Sequence, residues 1–173
     1  DAAALLRTAE RPMIIAGGGV QYSRAVKELT AFAEAHQIPV VETIAGRANM
    51  VATHPLNIGP VGVTGSDSAN AIAEKADVIL TVGTRLQDFT TGSWTAFDKA
   101  AKFVSLNAAR HDAGKHMAAP VVGDAKLGLL ALGEAVNGYK AQSAWVDEAK
   151  ALRVEWDKEV ARTVAPDNGP NSY

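Results

Sequence analysis

Pro12-Met13-Ile14-Ile15-Ala16-Gly17-Gly18-Gly19-Val20 is the stretch whose reading decides the fold. A short apolar run with adjacent isoleucines, closed by three glycines, reads as a fully buried strand entering a tight loop. Working outward, Ser23 to His36 has helical spacing. Val26, Leu29, Phe32 and Ala33 fall on one stripe, with Arg24, Lys27, Glu28 and Glu34 mostly off it. Strand, glycine loop, helix is how an open α/β sheet begins. Such a loop can carry backbone N–H groups and a helix N-terminus to a phosphate.

The same alternation continues along the chain. Ile38–Thr43, Asn57–Gly62, Asp77–Gly83, Lys102–Asn107 and Ala119–Asp124 read as further strands, and Asp77–Gly83 is the clearest of them. A small helix capped by Thr64, Ser66 or Asp67 runs to Ala76, and another covers Ala125–Val136. Thr84 to Trp94 is a polar loop, and Ala2–Leu6 opens the chain as a helix with Asp1 at its N-cap. Buried strands alternating with helices predict a mainly parallel sheet covered on both faces and joined by right-handed crossovers. A last helix, Ser143–Val164, carries Trp145, Ala149, Leu152, Trp156 and Val160 as a stripe. It either packs on this domain or grips a neighbouring one, and its place beyond the last strand–helix unit favours the second.

Composition narrows the function classes. A length of 173 residues with 47% hydrophobic and 21% charged residues suits one soluble domain. The formal charge of −2 gives no reason to expect nucleic acid or an anionic membrane as partner. There is no cysteine, hence no disulfide, thiolate metal site or Cys nucleophile, and a cytoplasmic location is the expectation. No apolar run approaches the ~20 residues of a membrane span. The start at Asp1 and the Pro/Gly/Asn-rich close, Ala165–Ser172, lead us to expect a domain cut from a longer protein.

Candidate chemistry is sparse. Gly17, Gly18 and Gly19 meet the first positions of a dinucleotide fingerprint, but Tyr22 stands where its last glycine belongs. Glu42 lies near the place of a ribose-binding acid. The alternative for the glycines is a turn needing positive φ and little side-chain bulk. Gly83, Thr84 and Arg85 follow the strongest strand at its carboxyl end, where an arginine can hold a phosphate or carboxylate; the alternative is a loop anchor paired to Asp88. His111, Asp112 and His116 have no common helix face and read as solvated surface, and His54 before Pro55 reads as turn architecture. No catalytic residue and no metal ligand is assigned.

The ordered set Arg11–Val20, Pro39–Thr43, His54–Gly59, Ala76–Arg85 and Val122–Ala125 resembles the central domain of thiamine-diphosphate-dependent enzymes of the acetolactate synthase type. The resemblance covers about residues 1 to 135. It implies a three-layer, Rossmann-like α/β domain with a six-stranded parallel sheet of order 3-2-1-4-5-6, over residues 1–138, and a linker with an amphipathic helix over 139–173. Gly17–Ser23, Gly62–Gly65 and Gly83–Ser93 are similar to the branch of that family which hydrolyses a C–C bond of a cyclic 1,2-diketone in inositol catabolism. Flanking N- and C-terminal domains are then implied, binding thiamine diphosphate through Mg2+ in a homo-oligomer, dimer or tetramer. The present chain would be a non-catalytic scaffold. Gly123-Asp124-Ala125 is not the family's diphosphate motif, and Asn107 and Ala109 stand where its FAD-binding members carry acids. Two alternatives stay open: an FAD- or nucleotide-binding module using Gly17–Gly19 and Gly83–Arg85, and the central domain of an acetolactate-synthase-like ligase.

Overall fold

A computed structural model describes residues 1–165. Its order is α1 (Ala2–Arg7), β1 (Pro12–Ala16), α2 (Gly19–Tyr22), α3 (Val26–His36), β2 (Val40–Glu42), β3 (Asn57–Pro60) and α4 (Asp67–Lys75). There follow β4 (Val78–Val82), α5 (Asp88–Thr91), β5 (Lys102–Asn107), α6 (Arg110–Ala113), β6 (Ala119–Val122), α7 (Ala125–Ala135) and α8 (Ser143–Thr163). All strand pairs are parallel and the order is β3-β2-β1-β4-β5-β6, as the resemblance implies. β1 pairs with β2 on one side (Ile14 opposite Val40) and β4 on the other (Ile14 opposite Leu80). That makes it a central strand, and every one of its side chains is buried.

Right-handed crossovers that run in opposite directions along a sheet fall on opposite faces. The β1-to-β2 connection through α3 and the β3-to-β4 connection through α4 run oppositely, so α3 and α4 cover different faces. α7 packs beside α3, and α8 beside α4. The core is continuous through the sheet, with Met13, Ile14, Ile15, Ile79, Leu80 and Leu106 all sealed from water.

The structure departs from the periodicity at several points. The helix read from Ser23 begins at Val26, because Arg24 takes a left-handed φ of 51° and breaks it from the single turn α2. Val26 is at the surface, and the buried stripe is Leu29, Phe32, Ala33 and His36. His36 is held there by a 2.9 Å hydrogen bond from Nδ1 to the Tyr139 carbonyl. Asp1 occupies the N-cap position of α1 without a side-chain cap bond. Ser66 is the cap of α4, accepting from the Ala69 N–H at 3.2 Å. The polar loop after β4 contains the one-turn α5.

The chain just beyond residue 138 closes the amino end of the sheet. Tyr139 donates its hydroxyl to the Ala9 carbonyl at 2.9 Å, the Ala141 N–H bonds to the His36 carbonyl at 2.9 Å, and buried Trp145 donates Nε1–H to the Pro12 carbonyl at 2.8 Å. Burial, then the nearby Asp77 carboxylate, push the Tyr139 phenol up to about 12, so it remains a donor at any ordinary pH. The first half of α8 is therefore packed on this domain through Trp145, Val146 and Ala149, and Arg153 adds a 3.1 Å bond to the Asn57 carbonyl. The stretch from Pro166 onward, read above as a linker, lies outside the described residues. Among the described residues, no helix is long and apolar enough to cross a membrane.

Candidate functional site

Strand order reverses direction between β1 and β4, and the crevice at such a switch point, beyond the carboxyl ends of the strands, is where open α/β sheets hold ligands. Here a cleft of about 620 Å³ opens at that point. Gly18, Gly19, Gly83, Thr84 and Arg85 all line it; Gly17 sits beneath them and does not.

The glycines are explained by close approach. A Cβ on Gly17 would collide with the Gly83 carbonyl oxygen and lie 2.6 Å from Thr84 Cβ, and one on Gly19 would lie 2.6 Å from Gly83 Cα. The loops after β1 and β4 thus touch backbone to backbone. Positive φ, expected for the first three glycines, is not their reason: Gly18 sits at φ −60°, and the left-handed glycine of the pair of loops is Gly83 at +61°. The supply of phosphate donors is also smaller than the glycine run suggests. The Gly17 N–H bonds to the Val82 carbonyl at 2.8 Å and the Gly19 N–H to the Gly83 carbonyl at 2.9 Å, so both are engaged within the fold. α2 is a single turn, too short for a helix dipole to build up.

Arg85 is exposed and, among the described residues, has no polar partner. The anchor to Asp88 is not formed; Asp88 accepts from the Ser93 hydroxyl at 3.0 Å. Thr84 is buried, its Oγ1 accepting from the Leu86 N–H at 3.3 Å and its carbonyl from Asn107 Nδ2 at 2.9 Å. Asn107 lines the cleft, and its Oδ1 accepts from the Ala109 N–H at 3.0 Å, so this amide is engaged in the wall.

Glu42 does not reach the cleft. It is buried and its Oε1 accepts from the Met50 N–H at 2.9 Å, which ties down the irregular segment after β2. Burial pushes its carboxyl up, against the opposing pull of that N–H and of Asn57. An acid with a raised folded-state pKa releases its proton earlier when unfolded. Its contribution to stability is present below the unfolded pKa and is lost as pH rises through the folded one. A Glu42→Gln variant should therefore gain stability relative to the parent chain between about pH 4 and pH 7, read from urea midpoints across that range. A constant difference between the two would show that Glu42 ionises as freely in the fold as outside it.

Two residues of the site escaped the sequence reading. Asn49, wholly buried, donates Nδ2–H to the Gly17 carbonyl at 2.8 Å and so orients the glycine loop. Asp112, read as surface, lines the cleft and pairs with Lys115 at 2.6 Å. His116 instead stacks on Trp94, ring centroids 3.4 Å apart, and His54 holds its turn by accepting from the Leu56 N–H at 3.1 Å.

This donor set does not suit a metal–diphosphate group. Among the described residues no three His, Asp or Glu side chains converge on one position. Asp124, of the Gly-Asp pair, accepts from the Lys126 and Leu127 N–H groups as the N-cap of α7. Among the described residues the cleft offers one free cation, glycine backbone and amide walls, without a nucleophile held against a base.

A family model described as "Thiamine pyrophosphate enzyme, central domain" matches residues 1–132. The chain is also similar to curated proteins named 3D-(3,5/4)-trihydroxycyclohexane-1,2-dione hydrolase. It is 42% identical over 171 residues to that of Geobacillus thermodenitrificans, covering 99% of this chain and 26% of the relative. It is 43% identical over 162 residues to that of Listeria innocua, covering 94% and 25%. The chain thus spans about a quarter of the length of these relatives. On the matched family model, which spans most of its length, the chain belongs to the thiamine pyrophosphate enzyme family, as a central domain.

Proposed function

We propose that this chain is the non-catalytic central domain of a thiamine-diphosphate-dependent hydrolase that cleaves a C–C bond of trihydroxycyclohexane-1,2-dione, giving 5-deoxyglucuronate in inositol catabolism. The observation that carries the reading is identity above 40% along nearly the whole chain to hydrolases about four times its length. The cleft supports the scaffold role, since its groups can hold an anion but are not arranged to move a proton. In this reading residues 1–138 form the central domain and 139–173 lead through α8 toward a C-terminal domain. Thiamine diphosphate and Mg2+ are bound by the flanking N- and C-terminal domains, in a cytoplasmic homo-oligomer. The cofactor supplies the carbon chemistry there, and this chain supplies position.

The test is an assay of the full-length protein with thiamine diphosphate and Mg2+ on the cyclic diketone and on pyruvate, beside the present chain alone. Turnover of the diketone by the full-length protein only is the expected result. Turnover of pyruvate instead would make the protein an acetolactate-synthase-like ligase, and turnover by the isolated chain would overturn the scaffold role. A second reading, a nucleotide site, is favoured by Arg85, unpaired among the described residues, beside Gly18, Gly19, Gly83 and Thr84. A ligand that binds the native state must raise its melting temperature. FAD, NAD and ADP that each leave it unchanged at millimolar concentration remove that reading.

A further inference from the structure

The two ends of the sheet are treated differently. The amino end is sealed by the chain's own segment, through Tyr139, Ala141 and Trp145. At the carboxyl end, large apolar side chains from successive loops line the mouth of the cleft in contact with water: Tyr22 is 93% exposed, Ile44 58% and Phe89 61%. Val63, 65% exposed, is tied beside them by its N–H bond to the Phe89 carbonyl at 2.9 Å. One such residue is ordinary on a soluble surface; four about one opening form a patch that marks an interaction site. Arg85 stands within it without a polar partner among the described residues, so a group that covers it is bound best if it brings a carboxylate.

We propose that this rim is covered, in the whole protein, by a segment of the flanking polypeptide of the same chain. That segment presents apolar side chains to Tyr22, Ile44 and Phe89 and an Asp or Glu to Arg85. The proposal rests on the central-domain reading above, since it requires polypeptide beyond this quarter of the relatives' length. A second copy docked rim to rim fits less well. It would bring a second Arg85 to the same opening, while Asp88 and Asp112 already accept from Ser93 and Lys115.

The test places the photo-cross-linker p-benzoylphenylalanine at position 22 or 89 of the full-length protein, with position 117 as control. Met117 is fully exposed and lies away from the cleft. After irradiation, mass spectrometry is expected to find positions 22 and 89 joined to acid-containing peptides of the same polypeptide outside residues 1–173. The yield should exceed that at 117 by about tenfold, because a covering segment is held at high effective concentration. Arg85→Glu should lower the yield from position 89 about fivefold by placing like charges together. Cross-links that join only two copies, capture only a small molecule, or stay at the level of position 117 would each overturn the proposal. The cross-link reports contact and not chemistry. A protein that cross-links as expected yet ignores the diketone loses its proposed substrate and keeps this interface, and the converse pair of results separates the two the other way.

Discussion

Gly17→Ala is expected to destabilise the chain by about 3 kcal/mol, the upper part of the range for overpacking a tight site. For a domain of this size that corresponds to a fall in melting temperature of roughly 6–12 °C. The added methyl would meet the Gly83 carbonyl and Thr84 Cβ; that carbonyl accepts from the Gly19 N–H of the facing loop and the Thr84 carbonyl from Asn107 Nδ2, so neither loop can yield without the other. Gly123→Ala is the matching control. It lies at the same end of the sheet with nothing within 4 Å of the would-be Cβ, and it should stay within about 0.5 kcal/mol of the parent. Equal melting of the two variants by circular dichroism would mean that the loops after β1 and β4 do not touch as described.

Trp145→Ala should be costlier still, about 4 kcal/mol, as for other large aromatic side chains deleted from a core. The indole is 4% exposed and gives its only polar group to the Pro12 carbonyl, at the start of the central strand. Its loss opens a cavity between α8 and the sheet and leaves that carbonyl without its partner. Trp145→Phe keeps most of the volume and removes the donor, so it should cost about 1–2 kcal/mol. Urea denaturation of both variants separates packing from hydrogen bonding. A Trp145→Ala variant within 1 kcal/mol of the parent would show that α8 rests on the domain without holding it together.

Much of the architecture was legible because buried parallel strands have a strong signature. Pro12–Ala16, Val78–Val82 and Lys102–Asn107 are short β-branched or apolar runs bounded by turn residues, and each stands where the reading placed it. What local pattern misses is set by distant partners. The inward turn of His36 depends on a carbonyl 103 residues away, which no helical period reveals. The candidate site divides the same way. Gly18, Gly19, Gly83, Thr84 and Arg85 do gather at one cleft, as their places after two strands suggested. Glu42 follows a strand too, but the segment folded over it supplies the Met50 N–H and turns it inward. Asn49 gave no signal, because a buried amide in an irregular stretch looks like any loop asparagine.

The seal at the amino end also bears on how such a domain is made on the ribosome. The bonds from Tyr139 to Ala9 and from Trp145 to Pro12 join residues 130 and 133 positions apart. The edges of the central strand are satisfied earlier, when β2 and β4 arrive, but its amino end stays open until the start of α8 has left the exit tunnel. Contacts of such long separation close slowly. A nascent chain halted near residue 138 would expose the Ala9 and Pro12 carbonyls and the apolar bed of the indole, a form suited to chaperone capture rather than to independent life.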